Sequence, residues 1–289
     1  MCVGRTIYLY AWYSLKLHKC MGIRRVRVGL LKATPKRWDK EANWLTMERL
    51  IRDVAHLKID IAVTPECFLD GYAVAECHER SGIGEVDWVK KFIDIAEDGE
   101  NGAYIRKLSY LAQELGIYII VGFTEKLDGK LFNAAYLFSR DGAVIGRYRK
   151  VNISSHERLV YCSGDSLPVF DTVFGRIGIL ICADRRWPEN VRILALQGAE
   201  VIFIPAYGMW HEANTMWMRT RSYENGVYIC FAHPNIALIT NPKGDISAEL
   251  ISNVEDVLVH DIDLDLIDRT HIKERRPDLY SILCRNLKF

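Results

Sequence analysis

From Arg24 onward the chain alternates between two hydrophobic rhythms, and that alternation restricts its fold more than any single motif. Val26, Val28 and Leu30 lie on one face of a strand, after which Trp44, Met47, Leu50, Ile51 and Val54 recur at helical spacing. Residues 59–63 read as an apolar strand closed by Thr64-Pro65. Ile105, Leu108, Leu111, Ala112 and Leu115 mark a helix stopped by Gly116, and 117–123 is a fully apolar strand. Asp128-Gly129 and Asp141-Gly142 are turn signals flanking a strand at 131–138. A buried strand at 178–182 precedes a helix opened by Pro188, carrying Val191, Leu194 and Ala195 and ending at Gly198. A strand at 201–204, a helix near 214–223 and a strand at 227–231 follow. A hairpin through Asn241-Pro242-Lys243-Gly244 then leads to a strand at 257–261. Strand–helix–strand order mixed with hairpins predicts mixed sheets with helices on their outer faces. With no repeat, low-complexity tract or linker, residues 24–289 read as one domain behind an extension at 1–23.

Charge narrows the function classes. The 289 residues carry 38 Lys+Arg against 37 Asp+Glu, a formal net charge of +1. Counterion release onto nucleic acid needs a basic surface, which this balance does not supply. No stretch reaches the roughly 20 apolar residues of a membrane helix. The expected partner is therefore a small molecule, with neither nucleic acid nor membrane. Residues 6–15 form an apolar-aromatic run of signal-core length, but no small-residue cleavage site follows, and Lys16, His18 and Lys19 come next. They read as an extension, or as the product of a start codon assigned too early, rather than as a leader. The eight cysteines, at 2, 20, 67, 77, 162, 182, 230 and 284, form no CxxC pair, so neither a zinc ribbon nor a dithiol redox motif is present. Their scatter points to a reducing cytoplasm.

Three residues stand where chemistry is built. Cys182 ends an apolar strand just before a turn into a helix, a setting that exposes a nucleophile. The backbone N–H of Ala183 follows where an oxyanion donor is wanted. Glu66 follows an apolar strand and precedes Cys67-Phe68, so it is partly desolvated, which suits acid–base work. Lys150 closes the basic run Arg147-Tyr148-Arg149-Lys150; such a run is either a solvated face or a cation aimed at an anionic intermediate. His156 and His211 lie in no local signature that would make them a base for Cys182. No close ligand spacing suggests a metal site.

TPECFLDGY around Glu66, YRKVNI around Lys150 and ILICADRRWPE around Cys182, in that order, resemble the three signatures of the nitrilase, or carbon–nitrogen hydrolase, superfamily. Glu157 resembles the second glutamate of that family, and the segments at Arg221–Asn225 and Arg276–Tyr280 resemble its later parts, so the resemblance spans roughly residues 24–282. It implies a four-layer α-β-β-α sandwich with mixed sheets, and a homodimer or larger homo-oligomer formed through a helix face. It also implies four site residues. Cys182 would be the nucleophile, Glu66 the proton carrier, and Lys150 the oxyanion stabiliser with the Ala183 N–H. Glu157 would orient the substrate or Lys150. No metal or organic cofactor is implied.

The pair Arg185-Arg186 in DRRWPE resembles more particularly the N-carbamoyl amino acid amidohydrolases, where such arginines hold a substrate carboxylate. The alternative is that either arginine pairs with Asp184, Glu189 or Glu224 to brace the turn. Ala183 stands where relatives usually carry a polar or aromatic residue, implying a roomier pocket. Ser163 replaces a usual proline before Gly164-Asp165. Tyr72 and Trp210 are further pocket candidates, with core packing as the alternative for the aromatic segment around Trp210. The expected activity is hydrolysis of a linear amide or N-carbamoyl compound through a thioacyl enzyme. A nitrilase acting on C≡N and a non-catalytic binding protein are the alternatives.

Overall fold

Two mixed β-sheets face each other in the computed structural model, which describes residues 24–80, 87–209 and 211–285. The first half of the chain runs β1 (Arg25–Lys32), α1 (Lys40–Ala55), β2 (Ile61–Val63), α2 (Val74–Glu79), α3 (Trp88–Ile95) and β3 (Glu97–Asp98). It continues through α4 (Ala103–Leu115), β4 (Tyr118–Leu127), β5 (Lys130–Phe138) and β6 (Val144–Arg149). The second half runs β7 (Val169–Thr172), β8 (Gly175–Ile179), α5 (Pro188–Leu196), β9 (Val201–Pro205) and α6 (Glu212–Asn225). It closes with β10 (Tyr228–Ala232), β11 (Ile236–Thr240), β12 (Ile246–Ile251), β13 (Asp256–Asp263) and α7 (Thr270–Lys273).

One sheet has the order β13-β1-β2-β4-β5-β6, with β3 beside β4, and the other has β12-β11-β10-β9-β8-β7. The β1–β2–β4 and β8–β9–β10 pairings are parallel; the hairpin pairings around them are antiparallel. This is the mixed arrangement that alternating crossovers and hairpins predict.

Side-chain alternation sorts the layers. In β1, Val26, Val28 and Leu30 enter the core between the sheets, where they join Ile61 and Val63 of one sheet and Ile179, Val201, Phe203 and Cys230 of the other. In β4, Tyr118 and Ile120 face that core. Ile119 and Val121 face outward onto Trp44, Met47 and Ile51 of α1 and Leu108 and Leu111 of α4. A strand covered on both faces must be apolar at every position, which is why 117–123 shows no alternation. On the far side, Val191, Leu194 and Ala195 of α5 and Met218 of α6 cover the second sheet. Helix, sheet, sheet, helix is thus the order of the layers, as the resemblance implied.

Gly116, at φ 64, ends α4 where the sequence places the stop. Several boundaries differ from the sequence reading, among them the end of β4, which runs on to Leu127, and two beside the site. The strand placed at 59–63 pairs only over Ile61–Val63. The strand placed at 178–182 ends at Ile179; Cys182 instead opens a 3₁₀ turn, Cys182–Arg186, because its φ of 45° cannot continue a pleated ladder. Among the described residues, no helix is long and apolar enough to cross a membrane. The apolar run at 6–15 and Trp210 lie outside the described residues.

Candidate active site

The site lies where strands of both sheets end. After β2 the chain turns at Thr64-Pro65-Glu66, held by Thr64 N on Ile120 O at 3.0 Å and by Gly122 N on Thr64 Oγ1 at 3.1 Å. The turn presses directly on β4: a Cβ at Gly122 would stand 2.7 Å from Cys67 N and 2.9 Å from Pro65 O, so a side chain there would expel the turn. Glu66 N reaches Ala206 O, just past β9, at 3.4 Å and joins the two sheets at this point. The Glu66 side chain is completely buried, beyond the partial desolvation the sequence suggests.

Lys150 follows β6, its N–H on Asn133 O of β5 at 2.9 Å, and is equally buried. Its ammonium donates to Glu66 Oε1 at 2.8 Å and to Glu157 Oε1 at 2.7 Å. Of the two readings of the basic run, the solvated face is therefore wrong for Lys150. Burial alone would lower its pKa, but Glu66, Cys182, Glu157 and Asp184 outweigh burial and hold it well above its ordinary value. Lys150 is thus a fixed cation and no proton acceptor.

Glu157 sits in a short 3₁₀ turn. Ser154 donates to its Oε2 through the backbone N–H at 3.0 Å and Oγ at 2.7 Å. Burial pushes this carboxyl up, yet the Lys150 charge and these donors hold it below its usual value. The loop around Ser163 is pinned on both sides, by Cys162 N on Leu131 O and Gly164 N on Lys150 O.

Cys182 occupies the left-handed region, which costs a non-glycine residue about 1–3 kcal/mol and recurs at functional turns. Ala183 stands in the first turn of the 3₁₀ segment, where backbone N–H groups have no acceptor within the helix. Asp184 anchors this turn to the other sheet. Its carboxylate accepts from Tyr148 OH at 2.7 Å, Asn152 N at 2.9 Å and Ile181 N at 3.0 Å, and burial pushes its pKa up to about 6.

The paired arginines part company. Arg185 is buried: Nη1 donates to Cys182 Sγ at 3.3 Å, Nε to Asn214 Oδ1 at 2.6 Å, and Nη2 to the carbonyls of Gly208 and Met209 at 3.1 and 2.7 Å. Arg186 is exposed, its guanidinium 6.0 Å over the Trp217 ring. Neither makes the brace to Asp184, Glu189 or Glu224 that the sequence left open; Arg221 pairs with Glu224 instead, at 3.1 Å.

Tyr72 is buried, stacked on Tyr207 at 4.5 Å, and lies close enough to Glu66, Glu157 and Cys182 for their charges to act on its hydroxyl. His211 is exposed and caps α6, its Nδ1 accepting from Ala213 N at 3.2 Å, while His156 lies beside Ser154. Asn133, whose amide touches both glutamates, escapes sequence reasoning. Its signal is a lone polar residue in the apolar run Leu-Phe-Asn-Ala-Ala-Tyr.

Glu66, Lys150 and Glu157 thus meet near the strained Cys182, and the carbon–nitrogen hydrolase family matches residues 27–272. The chain belongs to the carbon–nitrogen hydrolase family. It is 29% identical over 273 residues to a nitrilase of Pyrococcus abyssi, covering 88% of this chain and 99% of the relative. It is 30% identical over 284 residues to N-carbamoylputrescine amidase of Arabidopsis thaliana, covering 85% and 91%. The carbon–nitrogen hydrolase from Helicobacter pylori G27 superposes with a TM-score of 0.78 at 21% identity, covering 91% of this chain and 99% of that one. As a carbon–nitrogen hydrolase of the nitrilase superfamily, this chain is an enzyme with amidase- and carbamoylase-type relatives.

Proposed function

We propose that this hydrolase cleaves a linear amide or an N-carbamoyl compound, using Cys182 as nucleophile. The observation that carries the reading is the buried ammonium of Lys150, held by Glu66 and Glu157 beside the strained cysteine. Glu66 Oε1 is engaged by Lys150 and Asn133, whereas its Oε2 is buried without a hydrogen-bond partner among the described residues. That free oxygen accepts the thiol proton as Sγ bonds to the carbonyl carbon. The carbonyl electrons move to oxygen, where Lys150 and the Ala183 N–H meet the developing charge. Collapse breaks the C–N bond, and Glu66 returns the proton to the leaving nitrogen. Water, deprotonated by Glu66, then cleaves the thioester and the thiol is restored. A carbamoyl substrate releases ammonia first and then a carbamic acid, which decays to an amine and carbon dioxide.

Carboxylate recognition needs a free guanidinium fork, and the donors of Arg185 are largely spent inside the chain. Arg185 serves the thiol and the carbonyls of Gly208 and Met209, which leaves Arg186 as the arginine for a substrate carboxylate at the rim. Arg186→Ala should raise KM at least several-fold for N-carbamoyl amino acids and leave carboxylate-free substrates unaffected. Equal KM for both classes in wild type and variant would remove Arg186 from recognition.

The test of the function is ammonia release across N-carbamoyl amino acids of both hands, N-carbamoyl amines, simple amides, ω-amides and nitriles. Ammonia with carbon dioxide from a carbamoyl compound, or ammonia with a carboxylate from an amide, supports the reading. Activity on nitriles alone replaces it with the nitrilase reading, which the Pyrococcus abyssi relative favours. Glu66 and Lys150 meet, with Cys182 near enough for its charge to act on the lysine, which speaks against a non-catalytic binding role.

We also read the chain as a cytoplasmic homo-oligomer. Ile193 and Leu196 of α5 and Met216 and Tyr223 of α6 are exposed apolar side chains, suited to a second copy. The scattered free cysteines suit a reducing compartment.

A further inference from the structure

Two carboxylates share one ammonium in the buried site, and the ammonium alone leaves surplus negative charge. Glu66 Oε1 and Glu157 Oε1 both lie within 2.8 Å of Lys150 Nζ. Like charges this close drive one carboxylate to take up a proton unless further donors hold both ionised. Asn133 supplies them. Its Nδ2 donates to Glu66 Oε1 at 2.8 Å and to Glu157 Oε1 at 3.2 Å, one amide hydrogen for each. The remaining amide atom, Oδ1, accepts from Cys67 Sγ at 3.3 Å. A flipped amide would set its oxygen against two carboxylates and its NH₂ against the thiol, so the Cys67 S–H selects the productive orientation. Burial first, and then the nearby Asp70 and Glu66, push the Cys67 thiol well above its ordinary value, so it stays protonated and remains a donor.

We propose that Asn133 is a positioning residue that holds Glu66 and Glu157 ionised side by side on Lys150, with the Cys67 thiol fixing the direction of its amide. This rests on the reading of Glu66, Lys150 and Cys182 given above and adds to it the device that keeps the base charged. The titratable groups around the cluster come from every neighbouring element. Glu66, Cys67, Asp70 and Tyr72 lie on the turn after β2, Lys150 after β6, and Glu157 and Tyr161 on the next loop. Cys182 and Asp184 come from the nucleophile turn. Among these, Asn133 is the uncharged group that touches both carboxylates, so its removal changes their protonation without removing a charge.

The sign follows directly. A donor to the ionised carboxylate lowers its pKa, so loss of the donor raises the pKa and moves the acid limb of kcat/KM to higher pH. The experiment measures kcat/KM against pH for wild type, Asn133→Ala, Cys67→Ala and Cys67→Ser, on the compound that releases ammonia fastest in the screen above. Asn133→Ala should lower the plateau by about 10- to 100-fold, the scale of a hydrogen bond to a charged group. It should also shift the acid limb upward by about one pH unit. Cys67→Ala should shift the limb the same way by less, and Cys67→Ser, which restores a donor, should return it to the wild-type position. An Asn133→Ala limb at the wild-type pH overturns the proposal. If that variant does not fold, coincident limbs for Cys67→Ala and Cys67→Ser overturn it. Cys182→Ala is run alongside. Activity in that variant defeats the underlying mechanism, whereas an inactive Cys182→Ala with unmoved limbs defeats the Asn133 role alone.

Discussion

Cys182→Ala should lose turnover of every hydrolysed substrate by about 10⁴-fold or more, the scale on which removal of a catalytic nucleophile acts. Intact-protein mass should gain the acyl group in the wild type during turnover and stay unchanged in the variant. The substitution isolates chemistry from folding. Alanine keeps the Cβ, so the left-handed backbone at residue 182 is no more strained than before, and only one nearly buried sulfur is lost. Arg185 Nη1 loses a contact but keeps its guanidinium tied to Asn214, Gly208 and Met209. Exposed Cys162 and Cys284 provide the control: an acyl group mapped to either of them, and not to Cys182, is surface reactivity. Wild-type rates in Cys182→Ala would end the thioacyl mechanism.

The fold was legible because its layers write different periods into the chain. A strand alternates where one face is open, as β1 does at Val26 and Val28 between Arg25 and Arg27, strands covered on both faces are solid apolar runs, and the covering helices repeat at helical spacing. The boundary at Cys182 was misplaced for a related reason. Leu180 and Ile181 are as apolar as the strand before them, and hydrophobicity carries no trace of the positive φ that ends the ladder. Glu66, Lys150 and Cys182 each stand just past a strand end, so motif and strand pattern agreed there. Asn133, Asp184 and the divergence of Arg185 from Arg186 depend on which atoms meet across the two sheets. Neighbours in sequence give no measure of that. Arg185 and Arg186 are adjacent, yet one is buried against the Cys182 thiol and the other faces solvent.

Lys150→Ala should lower turnover at least ~10²-fold, because in the proposed mechanism the fixed cation stabilises the oxyanion where no mobile solvent can substitute for it. The geometry adds a second consequence that separates this role from proton transfer. Removing the ammonium leaves Glu66 and Glu157 buried near each other with no cation, a change that costs about 3–5 kcal/mol when one partner of a buried pair is deleted. The penalty has a defined pH dependence. The lowered pKa of Glu157 reports stability that is present above the ordinary carboxylate range and is lost as pH falls through the folded value. The variant lacks that contribution throughout, so the gap between the two melting curves should be widest near neutral pH and narrow toward pH 4. Activity will not recover in parallel, because protonating a glutamate relieves the repulsion and also removes the base. Thermal unfolding and turnover measured across the same pH series will therefore diverge for Lys150→Ala. Turnover within a few-fold of wild type in a folded Lys150→Ala would reduce the lysine to a structural counter-charge and leave oxyanion stabilisation to the backbone at Ala183.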